Sequence, residues 1–65
     1  MASTFDRELR RLLQDGGCAF VRPAKGSHEL WWSPITQAQF TVPQGIVSRH
    51  TANAVLKQAG LPKAF

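Results

Sequence analysis

Lys25-Gly26-Ser27-His28 gathers a cation, a hinge, a hydroxyl and one of the chain's two histidines into four consecutive residues. Histidine is the side chain type that gives or takes a proton near neutral pH without special tuning. A lysine can offset charge that develops on a phosphate, and a glycine lets the backbone come close to a ligand. The set suits proton transfer beside a phosphate. The same residues also make an ordinary turn between two apolar runs, Cys18 to Val21 and Leu30 to Trp32. Arg22, just upstream, and Arg49, further along, are cations available to the same anion.

Other chemistries fit the inventory less well. Structural zinc wants four ligands at recognisable spacing, and two histidines, one cysteine and four acids do not supply them. The chain holds no Gly-x-x-x-x-Gly-Lys-Ser/Thr phosphate loop and no Gly-x-Ser-x-Gly elbow. What remains is acid–base chemistry by a histidine beside a lysine, with no metal and no cofactor. RNA suits that inventory because its 2′-hydroxyl is a built-in nucleophile. An enzyme of this kind needs a base, worth about 10²–10⁴-fold, a charge stabiliser and positioning. A DNA phosphodiester offers no such internal nucleophile, so a ribonuclease is the economical reading.

Sixty-five residues are expected to form one domain, 1–65, with one small core. Any site must then be shallow. Eight Lys and Arg against four Asp and Glu leave a net charge of +4, which favours anionic partners, nucleic acid first and acidic protein second. A single cysteine, Cys18, permits no internal disulfide and points to a reducing compartment. Met1-Ala2-Ser3-Thr4 lacks the basic start and apolar run of a signal peptide. No apolar stretch approaches the roughly 20 residues that span a bilayer. The expected location is cytoplasmic, with no membrane partner.

The elements that must carry the site follow from periodicity. Phe5, Leu9, Leu12 and Leu13 share one helical face, predicting a helix over 4–15 with Ser3 as N-cap, Asp6 at its positive end and Gly16-Gly17 as its stop. The opposite face carries Arg7, Arg10, Arg11 and Gln14. It is either a solvated face closed by Asp6–Arg10 and Glu8–Arg11 pairs or a row of arginines for phosphates or an acidic partner. Cys18 to Arg22 reads as a short strand ended or edged by Pro23, with Cys18 as a small buried hydrophobe. His28 to Trp32 reads as a second strand. Its period of 2 puts His28, Leu30 and Trp32 on one face and Glu29 and Trp31 on the other. One tryptophan fills the core and the other is left out, open to a base or a protein partner. Gln39 to Val42 is a third strand with Phe40 and Val42 inward. Ser48 caps a second helix, Arg49 to Ala59, whose stripe is Ala52, Val55, Leu56 and Ala59 and whose stop is Gly60. Pro62 to Phe65 is expected to be loose. The result is an α+β chain, α-β-β-β-α, with a three-stranded antiparallel sheet and both helices on one face. Arg49 and His50 fall in the first turn of the second helix, where backbone N–H groups attract phosphate.

Three stretches in this order resemble the HicA family of toxin mRNA interferases from bacterial type II toxin–antitoxin pairs. They are Leu12-Leu13-Gln14-Asp15-Gly16-Gly17, then Arg22 with Lys25-Gly26-Ser27-His28, then Thr51 with Val55-Leu56-Lys57-Gln58-Ala59-Gly60-Leu61. Val42-Pro43 falls where the family's third strand ends. The resemblance covers about Leu9 to Leu61. It implies a fold like a double-stranded-RNA-binding domain, a catalytic His28, cleavage of mRNA without a metal, inhibition of translation, and a cognate HicB-like antitoxin that covers the site. The chain departs from the family pattern at His50, where glycine is frequent, at Gln44, where histidine is frequent, at Cys18, where an aromatic is common, and at Trp31-Trp32.

Three readings therefore stand. The first is a ribonuclease with His28 as general base, with Lys25, Gly26, Ser27, Arg22 and Arg49 on the substrate and the general acid unassigned between His50 and water. The second is a non-catalytic RNA-binding module of the same fold. The third is a protein-interaction domain whose basic face meets an acidic partner.

Overall fold

A computed structural model describes residues 4–65. Its first helix, α1 (Asp6–Asp15), forms where Leu9 and Leu13 stack one turn apart, and both are fully buried. Ser3, expected as the N-cap, lies outside the described residues. Phe5 occupies the N-cap position without a side-chain cap, and the Thr4 hydroxyl accepts a long bond from the Asp6 N–H, 3.4 Å. The Asp6 carboxylate is drawn elsewhere, accepting from the backbone N–H groups of Gly45 (2.7 Å) and Ile46 (2.8 Å). It therefore pins the start of α1 to the loop before the second helix.

Three strands follow: β1 (Ala19–Pro23), β2 (His28–Ser33) and β3 (Ala38–Pro43), antiparallel in the order β1-β2-β3. β1 begins one residue later than expected because the Cys18 N–H closes α1 instead, donating to the Leu13 carbonyl at 2.9 Å. Cys18 is buried, as a small hydrophobe should be. α2 (Arg49–Gln58) is capped by Ser48, whose hydroxyl accepts from the His50 N–H at 3.2 Å. Ala52, Val55, Leu56 and Ala59 turn inward to meet Trp31, Phe40, Val42 and Ile46 in one core. Both helices cover the same face of the sheet. The residues that establish this are Glu29, Trp31 and Ser33, alternate positions of β2. Glu29 pairs with Arg10 of α1, Trp31 is in the core, and the Ser33 hydroxyl donates to the Ala59 carbonyl at the end of α2, 2.6 Å.

Two features correct the sequence expectation. The tail from Pro62 to Phe65 is not loose. Asn53 of α2 holds it, accepting from the N–H groups of Ala64 and Phe65 and donating to the Phe65 carbonyl. The Phe65 ring packs edge-on against Phe5 with centroids 5.1 Å apart. The second strand also runs one residue further than expected, to Ser33. The buried Ser33 hydroxyl accepts from the N–H groups of Ile35 and Thr36, tying the β2–β3 turn to α2.

Gly60 makes that junction possible. Its φ is +82°, and an added Cβ would stand 2.7 Å from Cγ2 of Ile35 and 3.0 Å from Cγ2 of Thr36. Left-handed strain and the clash together put the cost of Gly60→Ala at about 2 kcal/mol. For a domain of this size that lowers the thermal midpoint by about 10 °C, measurable by circular dichroism.

Candidate active site

The β1–β2 turn carries the sequence-predicted cluster, and the fold holds it at both ends. The Ala24 N–H donates to the His28 carbonyl and the Gln44 N–H donates to the Ser27 carbonyl, each at 2.9 Å. The turn is thereby fastened both to its own hairpin and to the end of β3. Gly26 supplies the positive φ this tight connection needs, +69°, and nothing stands within 4 Å of where a Cβ would be. The backbone at Gly26 is therefore open to a ligand. Lys25, Ser27 and His28 are all exposed around it.

His28 begins β2 opposite Pro43 of β3. Since Glu29, Trp31 and Ser33 face the helices, His28, Leu30 and Trp32 face away from them, on the open side of the sheet. Among the described residues, the His28 side chain has no hydrogen-bonding side-chain partner, so its ring is presented to solvent.

Arg22 reaches this face by an irregularity of the ladder. Phe20 pairs with Trp31, but the next pair is Arg22 with Leu30, leaving Val21 as an extra residue. Strict alternation would put Phe20 and Arg22 on the same face. The bulge moves Arg22 to the face of Leu30 and His28. There it stands diagonally from His28, a separation of about 7–8 Å between backbones. Thr41, opposite Leu30 on β3, occupies the matching diagonal on the other side. It was missed as a site neighbour, although the inward Phe40 and Val42 already implied its direction.

Arg49 and His50 lie beyond the loop 44–48, exposed in the first turn of α2. Among the described residues, neither forms a hydrogen bond or ion pair from its side chain to the Lys25–His28 turn. The structure thus brings Arg22, Lys25, Gly26, Ser27 and His28 together and leaves Arg49 on an adjoining element.

Charge is segregated across the sheet. All four carboxylates belong to α1 or, for Glu29, to the face that α1 covers. Two of the three arginines of α1 answer them, while exposed Arg7 forms no ion pair among the described residues. Arg11 bridges Glu8 and Asp15. Arg10 turns inward to Glu29 at 3.1 Å and also lies 4.0 Å from Asp6. The helix face is therefore no free row of phosphate-binding arginines; Arg10 and Arg11 are committed to acids of the same chain. Around Glu29, burial favours the neutral acid. Hydrogen bonds from the Trp31 ring nitrogen (3.0 Å) and Gln44 (3.2 Å), with the Arg10 charge, outweigh it and hold the carboxyl below its ordinary value. A shallow cavity of about 330 Å³ opens beside this network, lined by Asp6, Arg7, Arg10, Glu29 and Gln44. It lies on the α1 side, and its carboxylates and Arg10 already satisfy one another. The other five cationic side chains, Arg22, Lys25, Arg49, Lys57 and Lys63, lie outside α1 and have no carboxylate partner among the described residues.

The element order and the one-sided helices place the chain in the class of small two-layer α+β proteins with the layout of a double-stranded-RNA-binding domain. A family model described as the HicA toxin of bacterial toxin–antitoxin matches residues 7–61. Over that span the chain belongs to the HicA toxin family, whose members are toxins of bacterial toxin–antitoxin pairs and generally ribonucleases. Membership implies, in general terms, an antitoxin partner and an RNA substrate. No curated protein and no solved structure matches the chain. Among the described residues, no helix is long and apolar enough to cross a membrane.

Proposed function

We propose that this chain is a metal-independent endoribonuclease that cuts mRNA and so stops translation, with His28 as general base. The observation that carries the reading is the position of His28. It stands exposed on the open, carboxylate-free face of the sheet, at the end where the Lys25-Gly26-Ser27 turn is fastened. An anionic strand meets no like charge there.

In this reading the imidazole of His28 takes the proton of a 2′-hydroxyl. The freed oxygen attacks the adjacent phosphorus, the bond from phosphorus to the 5′-oxygen breaks, and that oxygen leaves with a proton. The products are a 2′,3′-cyclic phosphate and a 5′-hydroxyl end. Lys25, the Ser27 hydroxyl and the open backbone at Gly26 hold the phosphate. Arg22 offsets the charge that grows on its oxygens, and Arg49 meets a neighbouring phosphate. The leaving-group proton comes from water or from His50. A single-limbed pH–rate profile would remove His50, and a bell-shaped one would require a second titrating group. A cognate HicB-like antitoxin would silence the activity by covering this face.

The test is cleavage of a single-stranded mRNA fragment by the purified chain with EDTA present. Cleavage leaving cyclic phosphate ends is the expected result. Loss of cleavage on adding EDTA, restored by a divalent metal, would overturn the metal-independent reading. Salt-dependent RNA binding without cleavage would favour the non-catalytic binding module instead.

A further inference from the structure

Trp32 is the large side chain that the proposed chemistry leaves unused. It stands on the same face as His28, four residues along β2, or about 13 Å at the rise of an extended strand. Its partners across the ladder are Ala19 on β1 and Gln39 on β3. A methyl group and an amide do not cover an indole, and Trp32 remains 39% exposed where Trp31, on the other face, is 2% exposed. Half-buried Leu30 fills the row between Trp32 and His28, flanked by Arg22 and Thr41.

We propose that Trp32 stacks on a base of single-stranded RNA laid along β2, a few nucleotides from the phosphodiester held at His28. The inference rests on the ribonuclease reading above and adds to it the residue that grips the substrate away from the cut. Charge complementarity argues for RNA: this face has no carboxylate, and Arg22 and Lys25 border it. On the β3 side the apolar row is edged by hydrogen-bonding groups, Gln39 and Thr41. A protein hot spot needs a dry surround of packed contacts. Base stacking needs one flat ring, with hydrogen-bonding groups beside it to meet a base edge.

The tryptophans themselves provide the probe. With Trp31 buried, quenching of indole fluorescence by RNA reports Trp32. A single-stranded oligoribonucleotide is titrated into the uncleaving His28→Ala chain and into that chain carrying Trp32→Phe or Trp32→Leu. The expected result is quenching in the first that disappears in both others. Affinity should hold within a few fold for Trp32→Phe and fall about tenfold for Trp32→Leu, the order expected for one lost stacking contact. With His28 restored, Trp32→Leu should raise KM and leave kcat nearly unchanged. The phenylalanine variant decides the matter if the leucine variant fails to fold. Tight RNA binding without quenching, or equal affinity of leucine and tryptophan, overturns the proposal while cleavage by the wild type keeps the ribonuclease reading. Unchanged RNA affinity with loss of antitoxin binding in Trp32→Leu would assign the ring to protein docking and likewise overturn it. A wild-type chain that neither binds nor cuts RNA removes both.

Discussion

Replacing His28 with alanine should lower RNA cleavage by about 10²–10⁴-fold, the contribution of one well-placed general base, and leave the thermal midpoint unchanged. The two halves of this result test different things. His28 is exposed at the start of β2 and contributes to the sheet through its backbone, whose carbonyl accepts from Ala24. Alanine keeps that bond, so lost activity with an intact fold would isolate the imidazole. Binding should largely persist, because Arg22, Lys25 and the turn backbone remain. The readouts are single-turnover cleavage, thermal unfolding and RNA affinity on the same preparations. Equal cleavage by both proteins would remove His28 from the chemistry. A toxin should also be hard to express by itself, and His28→Ala should relieve that; equal toxicity of the two would argue against the catalytic role.

The second large effect concerns stability. Glu29→Ala should cost about 2–3 kcal/mol, because it removes the nearest carboxylate from the half-buried Arg10 guanidinium and leaves the Trp31 ring nitrogen without its acceptor. A domain this small expects only about 3–5 kcal/mol of net stability, so this variant should be substantially unfolded at 37 °C. Glu29→Gln, which can still accept from Trp31, should lose less. The pH dependence follows from the depressed carboxyl. Its folded value lies below its ordinary 4.5, so its contribution is fully present above that value. The contribution drains away as pH falls through the lower folded value. Denaturant melts of wild type and Glu29→Gln between roughly pH 6 and 3 should therefore converge on the acid side. A constant gap across that range would mean the charge of Glu29 does not support the fold. A double-mutant cycle with Arg10→Met should show coupling, since the two side chains share one network.

The two residues are neighbours in the chain and opposites in role, because β2 alternates. His28 faces solvent, where the proposed chemistry would take place. Glu29 faces α1 and fastens the helix and the Gln44 loop, while its partner Arg10 donates to the Pro43 carbonyl of β3. A change at Glu29 that lowered activity would act by loosening the mount of His28, and it would lower the melting temperature as well. A change at His28 would not.

Much of this arrangement is local physics and is legible in the residue order. Leu9 with Leu13, and Ala52 with Val55, Leu56 and Ala59, mark their helices because a 3.6-residue period needs no knowledge of partners. Ser48 caps α2 through a bond to a residue two positions away. Alternation separates Trp31 from Trp32 with no tertiary information. What alternation cannot say is which side the helices take, and that decided which tryptophan is buried and which face His28 presents. The tertiary structure settles it through groups far apart in sequence: Arg10 finds Glu29, and Ser33 finds the end of α2. Arg22 is the clearest case of the limit. Counting by twos puts it with Phe20, and only the bulge at Val21, a property of the pairing with β2, carries it to the face of His28. The tail gave no sign of order because its anchor, Asn53, is an unremarkable helical residue until α2 is docked beside it. Periods and caps are written in the chain, whereas the face each element turns to the core depends on which distant polar groups can be satisfied together.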